Sequence, residues 1–247
     1  MDEFTDKVVV ITGGNSGIGL SIAKKFDEKG AKVAFIARNE KKNRLATAQL
    51  KNAFAFQGDV RKIEDLNQFY EEVHSHFGKI DILIANAAVG KRRAIDLVDE
   101  AYFDEIVDTN FKGVYFTVQR AISYLNPGAA IVLISSLAAH IGPANYAIYS
   151  ATKAAVSYLA RALSADLLDR KIRVNAISPG YVETPRFTLF DENERKRIAA
   201  GIPLKRVAKP EEIAEAALYL ASIRSSYIVG ADLIVDGGVS ALFRESI

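Results

Sequence analysis

The sequence predicts an α/β fold: one doubly wound domain built on a parallel sheet of about seven strands, with helices on both faces. Three observations carry that expectation. Short β-branched or apolar runs recur seven times along the 247 residues. Segments of helical periodicity separate most of them, which argues for βαβ units. The runs are also nearly continuous in apolar residues rather than alternating, as expected where helices cover both faces of a sheet.

In chain order the strand runs are KVVVIT, KVAFIA, AFAFQGD, IDILIAN, AAIVLISS, IRVNAISPG and ADLIVDGG. The helical segments between them run from Ile18 to Lys29, Ile63 to Phe77, Ala101 to Leu125, Ala151 to Asp169 and Glu211 to Leu220. No Pro/Ser linker, low-complexity tract or composition shift divides the chain, so residues 1–247 read as a single domain. The irregular stretch at 184–206 follows a strand end, carries PRFTLF and only then turns charged and helical. It is a candidate substrate lid.

Composition narrows the function. Lysine and arginine (32) nearly balance aspartate and glutamate (30), with no long run of one sign, which argues against nucleic acid as a partner. Cysteine is absent, which removes disulfides and thiolate sites and suits a reducing compartment, with the cytoplasm expected. MDEFTDKVVVIT lacks the basic start and longer apolar core of a secretory signal, and no stretch is long and apolar enough to span a bilayer. Of the three histidines, His74 and His76 stand two apart and would point different ways on a helix, so no metal site is expected.

Directly after the first strand run comes TGGNSGIG. Glycines at a strand-to-helix junction let the backbone turn tightly and let a phosphate approach main-chain N–H groups at the helix N-terminus. Such a cluster would also suit an ordinary turn, and its spacing departs from GxGxxG. Its place in the first βαβ unit favours a Rossmann-type dinucleotide site, with Gly13, Asn15, Ser16, Gly17, Ile18 and Gly19 as candidate contacts. The second strand run ends VAFIARN. Where an NAD site usually carries an acid to hold the ribose 2′-hydroxyl, this chain has Ala37 followed by Arg38, with Lys41, Lys42 and Arg44 nearby. A guanidinium can grip a 2′-phosphate that a carboxylate would repel, so NADP is expected over NAD. The alternative is a solvated arginine at a strand end.

YSATK places Tyr149 and Lys153 four residues apart, on one face if the segment is helical. That spacing alone also fits a solvated surface. TGGNSGIG, ANAA at 85–88, ISS at 134–136, YSATK at 149–153 and SPG at 178–180 together resemble the classical short-chain dehydrogenase/reductase family, over nearly the whole chain. The resemblance implies that Tyr149 is the general acid in carbonyl reduction and the base in the reverse direction. It implies that Lys153 lowers the tyrosine pKa and binds the nicotinamide ribose, that Ser136 holds the substrate oxygen, and that Asn110 in DTNFKG supports the lysine through backbone and water. Asp59 would face the adenine with Val60 beside it. Asn86, Pro179, Gly180, Val182 and Thr184 would line the nicotinamide half. A free phenol, with pKa about 10, needs help to work near neutrality, and a neighbouring ammonium favours the phenolate. The chain departs from the family at Ala85 and Ala88, where NNAG is more common than ANAA.

The substrate pocket is expected among His140, Ile141, Pro143, Tyr146, Val89, Tyr181, Val182, Phe187, Leu189 and Phe190, which suits a hydrophobic ketone or aldehyde. Arg186 and Lys91 to Arg93 could reach a carboxylate or phosphate. Reduction of a 3-oxoacyl thioester on an acyl carrier protein is an alternative, with Arg170 and Lys171 offering part of a basic surface. SYLNPGAA is uncharged and lends it no support. A non-catalytic dinucleotide sensor is the alternative from another class. Ala154, Ala155, Tyr158, Leu159, Ala162, Leu163 and Leu167 form a broad apolar stripe with many small residues, and with the resemblance they lead to an expected homotetramer.

Overall fold

The computed structural model describes residues 2–242. All seven strand runs form strands: β1 (Val8–Thr12), β2 (Lys32–Ala37), β3 (Ala53–Gln57), β4 (Ile80–Ala85), β5 (Leu125–Ile134), β6 (Arg173–Pro179) and β7 (Asp232–Val235). They pair in parallel in one sheet of order β3-β2-β1-β4-β5-β6-β7.

The continuous apolar runs follow from having two cores. Successive side chains of a strand point to opposite faces. Val8 and Val10 of β1, with Ala34 and Ile36 of β2, pack into the core under α3 (Ile63–Phe77), α5 (Gly113–Ala121) and α6 (Ala147–Leu167). Val9 and Ile11, with Val33 and Phe35, pack into the other core, under α1 (Gly17–Glu28) and α8 (Pro210–Ala221). Among the described residues no helix is long and apolar enough to cross a membrane, and no group of three His, Cys, Asp or Glu is placed to hold a metal ion.

Three helical expectations are revised. Helix α2 (Glu40–Thr47) has no apolar periodicity to announce it, since it buries only Asn43 and Ala46; the Asn39 side chain starts it by accepting from the Lys42 N–H. The segment Ala101 to Leu125 is not one helix. It comprises α4 (Glu100–Val107), a π-helical turn over Asp108–Lys112 and α5, and the chain is already in β5 by Leu125. The π turn buries Thr109 and Asn110. Helix α6 begins at Ala147, four residues before Ala151, which puts Tyr149 in its first turn and Lys153 one turn later. Within 184–206 the chain forms a short 3-10 turn (Phe187–Leu189) and α7 (Glu192–Gly201).

Strand order reverses between β1 and β4, with β2 and β3 on one side and β5 to β7 on the other. In such sheets a crevice opens at the carboxyl ends of the strands at this point, and ligands bind there. The loops after β1, β4, β5 and β6 all converge on it.

Candidate active site

The crevice is held together at its base by polar contacts between the ends of β1 and β4. The Thr12 hydroxyl accepts from the N–H groups of Asn86 (3.0 Å) and Ala87 (2.9 Å), while the Asn86 amide donates to the carbonyls of Thr12 (2.9 Å) and Gly13 (3.3 Å). This approach leaves no room at Gly19, where a Cβ would fall 2.3 Å from the Gly13 carbonyl oxygen. Gly13 (φ +70°) and Gly17 (φ +53°) take the left-handed backbone that the tight turn requires. The first turn of α1 has neither a side-chain cap from Ser16 nor an acidic residue, so its N–H groups face the crevice unsatisfied, as an anion site requires. Asn43 braces the loop, accepting from Asn15 (2.7 Å) and donating to the Ala37 carbonyl (2.9 Å).

Two adjoining clefts fill the crevice. The larger, ≈ 590 Å³, is lined by Gly13, Asn15, Ser16, Gly17, Ile18, Gly19, Arg38, Asp59, Val60, Asn86 and Thr184, all expected cofactor contacts, among others. Burial pushes the Asp59 carboxyl up, but the Arg61 guanidinium, bonded to both its oxygens, holds it below its ordinary value. The smaller cleft, ≈ 260 Å³, is lined by Ser136, Tyr149, Lys153, Pro179, Gly180, Val182 and Thr184, under a largely apolar wall of Ile141, Pro143, Tyr146, Tyr181, Phe187 and Phe190. Ile18, Asn86, Ala88, Thr184 and Arg186 line both clefts.

Residues 13–240 match the family described as Enoyl-(Acyl carrier protein) reductase. The chain is 37% identical over 246 residues to Oxidoreductase asL5 of Sarocladium schorii, covering 98% of this chain and 99% of that protein. It is also 37% identical to Sorbose reductase sou1 of Schizosaccharomyces pombe, covering 94% and 95%. A solved short-chain dehydrogenase/reductase from Serratia marcescens, 30% identical, superimposes with a TM-score of 0.92 over 96% of this chain and 99% of that one. This chain belongs to the short-chain dehydrogenase/reductase family. Members are oxidoreductases of alcohol and carbonyl groups that use NAD(P).

Within this short-chain dehydrogenase/reductase Ser136, Tyr149 and Lys153 line the smaller cleft together, while Asn110 is fully buried and lines neither cleft. Lys153 is 2% exposed and donates to the Ile134 carbonyl (2.8 Å); its ammonium lies 5.9 Å from the centre of the Tyr149 ring. Burial, and secondarily the charge of Arg186, push Lys153 down from 10.5 to about 7. The Tyr149 phenol is raised, not lowered. Burial lifts it, the Ser136 hydroxyl and the Arg186 guanidinium pull against that, and burial prevails. Burial penalises the lysine's charge and the phenolate alike, and so works against the expected lowering. The Asn110 side chain donates to the Val89 carbonyl (2.7 Å), accepts from the Val89 N–H (2.8 Å) and lies 3.5 Å from the Thr152 hydroxyl; the expected support of Lys153 through backbone and water does not involve this side chain.

Other placements are corrected. His140 is turned out of the substrate cleft, its Nε2 bonded to Asp232 (2.9 Å) and Ser178 (3.1 Å). Val89 and Leu189 line the larger cleft instead. Lys91 and Arg93 are paired with Glu105 and Asp99, whereas Arg92, paired with Glu194, lies over Tyr146 and Phe190. Ala85 ends β4 inside the core, and Ala88 stands exposed between the clefts with no left-handed backbone. Sequence reasoning missed Thr12 and Asn43, both ordinary polar residues whose roles depend on which strand ends become neighbours.

The lysine yields a measurable consequence. Between about pH 7 and 10.5 the unfolded chain binds a proton at Lys153 that the folded, ligand-free protein does not, so folding stability rises with pH across that window, by at most about 1.4 kcal/mol per pH unit. Urea unfolding at pH 7, 8 and 9 is expected to show this rise in the wild type and a flatter profile in Lys153→Met. Parallel profiles would place the lysine pKa near its unfolded value and remove the argument.

Proposed function

We propose that the protein is an NADP(H)-dependent oxidoreductase that interconverts a hydrophobic carbonyl compound and its alcohol, with Tyr149 as the general acid/base. The observation that carries this reading is the shared wall: the cleft holding Ser136, Tyr149 and Lys153 opens onto the glycine-loop cleft through Ile18, Asn86, Ala88, Thr184 and Arg186. A dinucleotide with its phosphates at the unsatisfied N–H groups of α1 would extend toward that junction.

In this reading Gly13, Asn15, Ser16, Gly17, Ile18 and Gly19 hold the phosphates, Asp59 and Val60 flank the adenine, and Asn86, Pro179, Gly180, Val182 and Thr184 receive the nicotinamide half. When bound, the reduced nicotinamide supplies the hydride. Ser136 holds the carbonyl oxygen and Tyr149 gives it the phenolic proton. Lys153 in its charged form uses one N–H on Ile134 and keeps two donors for the ribose and the phenol. Arg38 is exposed and forms no ion pair among the described residues, and no acid stands at the end of β2, which supports a 2′-phosphate over a free hydroxyl.

The segment 184–206 serves as the substrate lid, since Phe187 and Phe190 come from it into the cleft wall. A reductase of acyl-carrier thioesters fits less well, because the approach to β5 offers no charge. On α6, Leu163 and Leu167 are consumed by the core, but Ala154, Tyr158 and Ala162 face outward, with Tyr158 67% exposed, which supports a homotetramer built through this helix.

Tyr149→Phe is expected to cut ketone reduction by about a thousandfold or more, while calorimetry finds NADPH binding within a few-fold of wild type. Retained turnover would sink the mechanism. Arg38→Asp should weaken NADPH by roughly tenfold or more and leave NADH nearly unaffected, and equal losses would argue against the 2′-phosphate contact. Sedimentation equilibrium should return the mass of four chains; a monomer at all concentrations would remove the tetramer.

A further inference from the structure

Arg186 has a position that the proposed hydride transfer does not use. Its guanidinium lies 5.7 Å from the centre of the Tyr149 ring and rests on the backbone of Gly90, where a Cβ would fall 2.4 Å from one terminal nitrogen and 2.6 Å from the other. It lines both clefts, yet it forms no ion pair among the described residues. Its neighbours on the loop after β4 are all matched: Lys91 with Glu105, Arg92 with Glu194 and Arg93 with Asp99. Among the described residues no acid lines the smaller cleft, and the only one lining the larger is Asp59, which is held by Arg61.

Resting on the reading above, we propose that the substrate is an oxo acid whose carboxylate, one or two carbons from the reacting carbonyl, is bound by Arg186. A guanidinium presents paired N–H donors that match a carboxylate. Arg186 is itself exposed, so it is open to an arriving anion, and Tyr146, Phe187 and Phe190 form the apolar wall beside it. The short carboxylate-to-carbonyl distance follows from the guanidinium lying over the same ring whose hydroxyl addresses the carbonyl. Thr184 and Pro185 border the glycine loop, where a Cβ at Gly17 would meet them at 3.3 and 3.9 Å, while Arg186, which lines both clefts, has its guanidinium over the Tyr149 ring. The rest of the molecule would be apolar, filling the wall from Ile141 to Phe190.

The test compares benzoylformate and benzoylacetate with their methyl esters under NADPH, in wild type, Arg186→Met, Arg186→Lys and Gly90→Ala. The acid-to-ester ratio of kcat/KM cancels any change in Tyr149 itself, because the same phenol serves both members of each pair. The ratio should favour the acids in wild type and fall about 10- to 100-fold in Arg186→Met. Arg186→Lys should fall between, and Gly90→Ala, which displaces only the tip of a flexible side chain, should lower the ratio in part. Tyr149-dependent reduction of the esters with an unchanged ratio in Arg186→Met would leave the reductase reading intact and overturn this one. Calorimetric titration of benzoate and benzamide, with and without NADP⁺, reads the same contact without turnover. Benzoate binding that disappears in Arg186→Met supports the proposal. Binding that is absent in wild type or indifferent to the substitution overturns it, as does a loss of NADPH affinity in Arg186→Met equal to the loss for the carboxylate.

Discussion

A single buried hydroxyl, that of Thr12, sets the geometry on which the site depends. It is 1% exposed and accepts two N–H groups from the turn after β4, at the place where the strand order reverses and the sheet needs an interstrand link beyond its ladder. With Asn86 returning two bonds to the end of β1, the two strand ends close to a distance that excludes any side chain at Gly19. The glycine requirement is therefore a consequence of the polar joint as much as of any ligand. The same joint places Asn86 and Ala88 where the two clefts meet.

Electrostatics in the ligand-free site is dominated by cations that lack an anion. Lys153 and Arg186 face one small cleft without an acid among its lining residues, and burial then decides the outcome. The lysine loses its charge near pH 7 and the phenol is held in its protonated form. An anion arriving in either cleft stabilises the charged lysine, and a charged lysine favours the phenolate. The pair of shifts has the same origin as the buried contact between Lys153 and the Ile134 carbonyl: one neutral acceptor satisfies a donor but does little to stabilise its charge.

Most of the fold was legible because the sheet is covered on both faces, and that coverage writes itself into the sequence as unbroken apolar runs. All seven strands were read this way. The helices were legible in proportion to their apolar periodicity, so α3 was placed to the residue, while α2, which buries an asparagine and an alanine, left no trace. The π turn was illegible because it arises from Thr109 and Asn110 turning inward, and nothing in DTNFK distinguishes that from a regular turn. In the site, residue identities were legible from spacing and motif, but contacts were not. His140 stood in the right stretch, yet Asp232, nearly a hundred residues away, draws its ring out of the cleft. The surroundings of Tyr149 are hidden for a related reason: spacing brings an ammonium near a phenol but does not say how much water remains around either.

The distribution of roles over the chain explains how one scaffold can serve different substrates. Ser136, Tyr149 and Lys153 lie at the end of β5 and at the start of α6, elements fixed by the sheet and by buried contacts such as that of the Ser135 hydroxyl with the Lys153 carbonyl (2.7 Å). The rest of the smaller cleft's wall comes mainly from the loop after β5, with Ile141, Pro143 and Tyr146, and from the segment after β6, while the loop after β4 adds Asn86 and Ala88. The loop after β4 and the segment after β6 also touch each other, while Ala87 and Val182 anchor them to the two cores. Arg92 reaches across with its guanidinium over Phe190 (5.2 Å) and Tyr146 (5.6 Å) and bonds Glu194 (2.8 Å), while Arg186 reaches back onto Gly90. Each arginine thus ties one surface stretch to the other, and changing either alters the shape and charge of the cleft without disturbing the strands that hold the reacting groups. In the proposed reading, selectivity would lie in these loops and the chemistry at the strand ends beneath them.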